Sequence, residues 1–597
     1  MTPNLDLAII GNSIIGALID RRGRIVWGCF PRFDGDPVFC NLLAGDSSEG
    51  SFEIEMLNLK HVEQSYIPNT AVLITTMTDS EGNSLRITDF APRFKHYGRI
   101  FRAGSIVRRV EPVAGAPRIV IHVRPRYEYG SVEPNMTHGS NHIRYQSPRL
   151  TLRLTTDAPV SYVREEVAFT LDVPVNLIFG SDESLNAPVE TTARDFLERT
   201  VEYWQDWVRF LSVPFEWQDA VIRAAITLKL CSYEETGAII AALTTSIPEV
   251  PNEERNWDYR FCWLRDAYFT VHALNRLGAT KTMEDFIRYI TNVAALESDG
   301  YLKPVYGIVP GTKLDEWVAP GLPGYRGMRP VRVGNLAEIQ VQNDSYGSVV
   351  LAAAQMFFDR RLPWRGDRTL FERLERLGAK AAAVALEPDA GLWEFRGIKH
   401  VHTHSAVMCW AACDRLDKIA RSLGLEDRSA HWRGEAQRLR KAILDNAWNA
   451  ERNTFVESFG GEHLDASLLL LQEVGFLTAD DPRFASTVAA IEKELIHGGV
   501  LWRYAREDDF GRPKNAFTIC TFWYVDALVA LGRKDEARTI FERLLSYRNS
   551  FGLLSEDVEP VSGELWGNFP QTYSMVGLIV SAMRLSKSWE EAFWRGS

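Results

Sequence analysis

Five segments interleave carboxylates, guanidinium groups and indoles: RNWDYRFCWLRD at Arg255–Asp266, KLDEWVAPGLPGYRGMRPVRVGN at Lys313–Asn335, GLWEFRG at Gly391–Gly397, LWRYAREDDFGRP at Leu501–Pro513 and LLSEDVEPVSGELWGNFPQ at Leu553–Gln571. That mixture suits a sugar. Aromatic faces cover the C–H side of a pyranose ring, while Asp and Arg hold its hydroxyls by charge-assisted hydrogen bonds. Any single Trp or Asp here reads more simply as core packing or a helix cap; their co-location points to a site. Paired carboxylates add acid–base chemistry. Glycosidic cleavage needs one protonated carboxyl at the leaving oxygen and a second, ionised, that activates water from the opposite side. A separation of roughly 6.5–9.5 Å inverts the anomeric centre, and about 5–5.5 Å permits covalent attack with retention. Glu394 follows Trp393 among apolar and aromatic neighbours and suits the acid, because desolvation raises a carboxyl pKa. Glu556 heads an acidic stretch with Asp557 and Glu559, and nearby negative charge raises proton affinity, which suits a base. The residues alone leave the choice among these three open.

Helices must carry these segments. From residue 216 onward, apolar spacing predicts twelve, at 216–233, 263–277, 281–297, 335–360, 366–386, 403–424, 427–447, 464–474, 483–496, 515–532, 535–548 and 568–586. Long connections follow the first, third and each later odd member, and short ones such as Gly278–Lys281, Gly424–Asp427 and Gly532–Asp535 follow most even members. Helices joined by a few residues are antiparallel neighbours, so every long loop falls on one face. Six such hairpins can close into an (α/α)6 barrel with the loops around one mouth. A stacked solenoid would need a fixed-period repeat, and none is found.

The first part of the chain has different physics. Trp27 is the only tryptophan before Trp204, and short segments (SFEIEML, AVLITTMTD, LRITDF, RIVIHVRP, LTLRLTT, EVAFTLDV) alternate apolar and polar residues with period two. They predict an antiparallel β-sandwich. Helical spacing resumes over Thr191–Leu211. The expected organisation is therefore a β-sandwich domain at 1–189, a helical linker at 190–215 and an (α/α)6 catalytic barrel at 216–597.

Composition narrows the partners. Lys plus Arg 67 against Asp plus Glu 78 gives −11, with no basic run, so nucleic acid is not an expected partner. No stretch of 18 apolar residues occurs and the first twenty carry no basic residue, so neither a membrane span nor a signal peptide is expected. Seven scattered cysteines without a CxxC pair predict reduced thiols and a cytoplasmic setting. His400, His402 and His404 alternate as metal ligands do, but no cysteine or carboxylate at ligand spacing completes the set, so no metal is expected. Gly11 and Gly16 lack the dinucleotide spacing, and GIVPGT at Gly307–Thr312 lacks the Lys-Ser/Thr of a phosphate loop; no cofactor is expected.

The motifs resemble glycoside hydrolase family 15, the glucoamylase family, and within it bacterial trehalase-like and glucoamylase-like proteins with an N-terminal β-sandwich. The stretch from Gly11 through ALIDRRGRIVWGCFPRFDGDPVFCNLLAG is similar to the opening of the trehalase-like N-terminal domain. NWDYRFCWLRDA, GYRGMRPVRVGN, QVQNDSYG, GLWEFR and LLSEDVEP with GELWGNFPQTYSMVGL follow in the family's order. The resemblance covers nearly the whole chain and implies an inverting α-glucoside hydrolase. It implies Glu394 as general acid in the WE motif and Glu556 as general base. Arg265 and Asp266 match the RD pair that holds the terminal glucosyl unit, with Trp263 as aromatic neighbour. Trp393, Asp258, Arg260, Arg329 and Arg332 are further expected contacts. The implied partner is a small carbohydrate. α,α-Trehalose, α-1,4 maltodextrin ends and α-1,6 glucans are all cleaved by relatives, and the N-terminal resemblance favours trehalose. Two other readings are a disaccharide phosphorylase, in which phosphate replaces the activated water, and a sugar-binding protein on an inactive scaffold. The acidic Glu556 stretch argues against the first and the presence of both carboxylates against the second. Oligomeric state is not legible.

Overall fold

Alternating apolar residues in the N-terminal part send one face of each strand into a shared interior. In the computed structural model, which describes residues 3–45, 47–296 and 300–593, one antiparallel sheet orders Ala8–Gly11, Gly16–Ile19, Ile25–Phe30, Ser51–Met56, Arg118–Arg124 and Phe169–Thr170, and Asp36–Phe39 pairs beside Ile25–Phe30. The other orders Asn135–His138, His142–Gln146, Thr151–Thr156, Val175–Ser181, Ser105–Ala114, Ser84–Phe90, Leu73–Asp79 and Leu59–Tyr66. Phe30, Phe39 and Phe52 of the first sheet meet Phe179 of the second at ring-centroid distances of 5.5, 4.9 and 6.2 Å. The sheets close on one aromatic core, giving the expected sandwich. EVAFTLDV forms only the two-residue strand Phe169–Thr170; the longer strand is Val175–Ser181, whose buried run VNLIFG has no alternation to reveal it.

Helix α1 (Val189–Arg209) buries Val189, Ala193, Thr200, Trp204 and Val208 and leads out of the sandwich. Twelve barrel helices follow: α2 (Gln218–Leu230), α3 (Leu264–Arg276), α4 (Lys281–Leu296), α5 (Asp344–Ala354), α6 (Arg368–Val384), α7 (Thr403–Ser422), α8 (Glu426–Ala447), α9 (Leu470–Glu473, entered through the 3-10 turn Ala466–Leu469), α10 (Pro482–Leu495), α11 (Thr518–Ala530), α12 (Lys534–Ser546) and α13 (Thr572–Leu585), with a short helix Trp589–Phe593 after them. Helices α3, α5, α7, α9, α11 and α13 touch in sequence and α13 returns to α3, so the inner ring closes. The even-numbered helices pack outside it. The inner helix α11, TICTFWYVDALVA, is buried on nearly all sides, which is why its patterning is apolar almost throughout. The two layers form an (α/α)6 barrel.

The expected helix at 335–360 is shorter than predicted. Leu336–Ile339 is a 3-10 turn capped by the Asn335 side chain, Gln340 is extended, and α5 begins only at Asp344. The side chains of Gln340 and Gln342 are instead drawn into hydrogen bonds with Glu394. Each long connection leads into the N-terminus of an inner helix, so all of them gather at one end of the ring. The hydrophobic core runs without interruption from the sandwich into the barrel.

Candidate active site

Glu394 lies in the connection from α6 to α7 and holds φ at +60°, a left-handed backbone rare for a residue with a side chain. Three groups keep it there: Gln340 Nε2 donates to the Glu394 carbonyl at 3.1 Å, Trp263 Nε1 donates to Oε1 at 2.6 Å, and Gln342 Nε2 reaches Oε1 at 3.3 Å. Arg265 adds its guanidinium at 3.5 Å. Oε2 has no protein hydrogen bond among the described residues. The apolar surroundings expected of Glu394 are thus polar on one side and aromatic on the other.

Glu556 sits on the connection from α12 to α13 and is buried. Tyr259 Oη donates to its Oε1 at 2.6 Å, and the backbone N–H of Asn568 reaches Oε2 at 3.3 Å. Burial and the Glu249 carboxylate push its pKa up to about 8 against the opposing pull of Tyr259 and Arg503. Gly567 backs the side chain: a Cβ there would lie 2.6 Å from the Glu556 Cβ, and its φ of +73° suits glycine. The three acidic candidates now separate. Asp557 is buried in backbone pairing with Phe517 and Trp566, and Glu559 caps its own turn by accepting from Val561 and Ser562 N–H groups. Only Glu556 of the three lines the cavity.

Glu394 and Glu556 line one cavity of about 910 Å³, part of it open to solvent. Tyr259, bonded to Glu556, and Trp263, bonded to Glu394, meet ring to ring at 5.3 Å, so one short segment spans both carboxylates. The inner end is formed by first-turn residues of inner helices. Arg265 and Asp266 open α3, Tyr573 opens α13, and Gln571 caps α13 by accepting the Tyr573 N–H at 2.6 Å. Arg265 is held by Gln342 at 2.9 Å and Asp344 at 3.4 Å. Burial and the Glu394 charge raise Asp266 to about 6 against the pull of Arg265. The buried Tyr573 hydroxyl has no protein partner among the described residues, which leaves it available to a sugar hydroxyl. Trp393 also lines the cavity and is fixed by Asp465 at 2.7 Å.

Four expected contacts do not line the cavity. Asp258 and Arg260 are fully buried and paired at 2.7 Å, and Arg260 spends its remaining donors on Gly35 O and Tyr129 Oη of the β-sandwich, both at 2.8 Å. They are a brace between domains, off the cavity. Arg329 is exposed and does not line it. Arg332 lies over the Trp257 ring at 5.0 Å, pairs with Glu316 at 3.4 Å and donates to Glu254 O. A loop rich in charge does not say which charges are consumed by its own folding. Conversely Tyr259, Glu249 and Arg503 line the site without having been singled out. The sequence signal was their membership of the flagged segments, for Tyr259 and Arg503; Glu249 carried none. Among the described residues no group of three or more His, Cys, Asp or Glu is placed to hold a metal.

A family model, glycosyl hydrolases family 15, matches residues 217–583, well over half of the chain. The chain belongs to glycosyl hydrolase family 15. This family 15 member is a glycoside hydrolase that acts on a carbohydrate. A second model, the trehalase-like N-terminal domain, matches residues 2–195. The trehalase of Thermoplasma volcanium is 32% identical, covering 97% of this chain and 93% of that protein. The trehalase of Mycobacterium tuberculosis is 32% identical over 99% of this chain and 90% of its own. A bacterial glucoamylase complexed with acarbose shares the fold of the hydrolase with a TM-score of 0.70 at 13% identity, over 98% of this chain and 94% of its own. No helix among the described residues is long and apolar enough to cross a membrane.

Proposed function

We propose that this hydrolase is an inverting, exo-acting trehalase that releases glucose from α,α-trehalose. The observation that carries the reading is the meeting of Glu394 and Glu556 in one cavity through the Tyr259–Trp263 bridge. Arg265 and Asp266 hold the terminal glucose with Trp263 and Trp393 at its sides. Glu394, through its free Oε2, protonates the scissile oxygen, and water on the opposite face attacks C1 as Glu556 takes its proton. The full-length likeness to trehalases of two distant organisms supports trehalose as the substrate. The units that carry this function are the sandwich at 1–189, the linker at 190–215 and the barrel at 216–597. Seven buried thiols support a reducing, cytoplasmic setting.

The test is incubation with trehalose, maltose, isomaltose and maltodextrin, following glucose and its first-formed anomer by NMR. Trehalose is expected to be cleaved best, releasing β- as well as α-glucose. Glu394→Gln and Glu556→Gln should each lower kcat by roughly 10²–10⁴. Release of α-glucose alone excludes the water-activation geometry. Glucose 1-phosphate formed only in the presence of phosphate would make the protein a phosphorylase.

A further inference from the structure

The outer end of the cavity is built unlike the inner one. At the inner end, helix first turns supply rigid polar groups; at the outer end, separate loops are cross-linked around two rings. Trp257 and Phe510 meet edge-on at 5.2 Å. The Arg396 guanidinium lies 4.7 Å from the Trp257 centroid and 5.5 Å from that of Phe510, while Arg332 covers Trp257 at 5.0 Å. Glu316 pairs with both arginines, at 3.2 Å for Arg396 and 3.4 Å for Arg332. On the other flank Arg255 holds Asp508 through two bonds of 2.7 and 3.0 Å and also takes the Gly511 carbonyl at 2.7 Å. Asp509 accepts the Arg396 backbone N–H at 2.6 Å. The Asp508–Gly511 turn is therefore pinned from two sides, and five stretches distant in sequence become one collar. Arg396, Asp509 and Phe510 also line the cavity, so the collar is in reach of whatever projects beyond Glu394.

We infer that this collar ends the substrate site after the second glucosyl unit, and that Arg396 and Phe510 make the enzyme select a compact 1,1-linked disaccharide over a longer gluco-oligosaccharide; the inference rests on the α-glucoside reading above. In a 1,1-linked disaccharide both anomeric carbons are consumed in the bond to be cut, so no chain continues from the second ring. A maltodextrin continues through its reducing end and has to pass between Arg396 and the pinned turn. Opening that gap breaks the Glu316 pairing, the stacking on Trp257 or the Asp509 hydrogen bond. The second ring of the short substrate meets the same groups favourably. Phe510 offers an apolar edge, and the guanidinium N–H groups of Arg396 not used by Glu316 have no protein partner among the described residues and form a flat fork of donors for its hydroxyls.

The experiment compares wild type with Arg396→Ala, Arg396→Lys and Phe510→Ala by kcat/KM on trehalose, maltose, maltotriose and α-glucosyl fluoride, whose single glucosyl unit does not reach the collar. In both alanine variants the maltotriose-to-trehalose ratio is expected to rise, and the trehalose-to-fluoride ratio to fall through KM, each by about tenfold or more. Arg396→Lys is expected to behave as Arg396→Ala, because an ammonium supplies charge without the flat, stacked fork. Ratios within twofold of wild type in variants with an unchanged unfolding midpoint overturn the inference. So does an equal loss on all four substrates, which marks a structural role, and so does a wild type that prefers maltotriose to trehalose. Wild type inactive on every substrate, the fluoride included, overturns the α-glucoside reading and this inference with it. Activity on the fluoride with unmoved ratios overturns this inference alone.

Discussion

The protonation of Glu556 is set by groups that pull in opposite directions. Burial and Glu249 raise its pKa to about 8, while the Tyr259 hydroxyl and Arg503 lower it. If Glu556 is the general base proposed above it works ionised, so kcat/KM is expected to be full above that value and to fall as pH drops through it. Tyr259→Phe deletes a hydrogen bond to the charged form, worth about 1.5–3 kcal/mol. The acid limb should then move upward by about one to two pH units. Glu249→Gln removes the negative neighbour and leaves the Arg503 charge, now unpaired across that 2.5 Å contact, beside Glu556; the limb should move down. Profiles of kcat/KM against pH measure both shifts. Movement of both variants in one direction excludes Glu556 as the titrating group. The placement of Glu394, Arg265 and Asp266 at one cavity was legible because each falls in a contiguous motif. The contribution of Tyr259 was not, since its partner lies 297 residues away and only the fold brings them together.

Among the elements, the loop from α2 to α3 depends on an ion pair that lies off the cavity. Asp258 accepts from Arg260 and from the Gly334 N–H at 3.2 Å, and Arg260 reaches the sandwich, so this pair locks Tyr259 and Trp263, one and five residues from Asp258, to two other parts of the molecule. Arg260→Met leaves Asp258 buried and uncompensated, at a cost of about 3–5 kcal/mol. The urea midpoint should fall accordingly. Adding Asp258→Leu should recover much of the loss, because the penalty comes from the stranded charge; a double variant no more stable than the single would assign the loss to packing instead. The twelve barrel helices could be read from spacing and loop length, since a helix that must bury one face writes that face into its sequence. What could not be read was the start of α5, where Gln340 and Gln342 stay outside the helix and bond Glu394, nor the strand Val175–Ser181, buried on both faces. In each case tertiary partners override a local pattern.

For the molecule as a whole, the β-sandwich behaves as part of the catalytic scaffold rather than as an attached module. Trp27 donates to Leu243 O and Ser13 to Lys229 O, both at 2.9 Å, and Arg93 pairs with Glu234 at 2.7 Å. The Gly324 N–H reaches Leu43 O, and the Asn549 amide takes Leu5 O and Leu7 O. These bonds land on loops or helix ends that lead to the mouth: Leu243 and Gly324 lie in the connections before α3 and α5, and Asn549 in the one that carries Glu556. The hydrophobic core is continuous across the same boundary, so separating the halves would expose apolar surface on both and deprive Arg260 of its Gly35 and Tyr129 acceptors. A chain beginning at residue 212 keeps every residue of the cavity and loses only its supports. It is expected to be insoluble, or soluble without turnover of any α-glucoside, and to regain activity when residues 1–211 are co-expressed. Soluble yield and glucose release measure both. A barrel fully active by itself would show that the loops hold Glu394 and Glu556 in register unaided, and that the interdomain bonds serve stability alone.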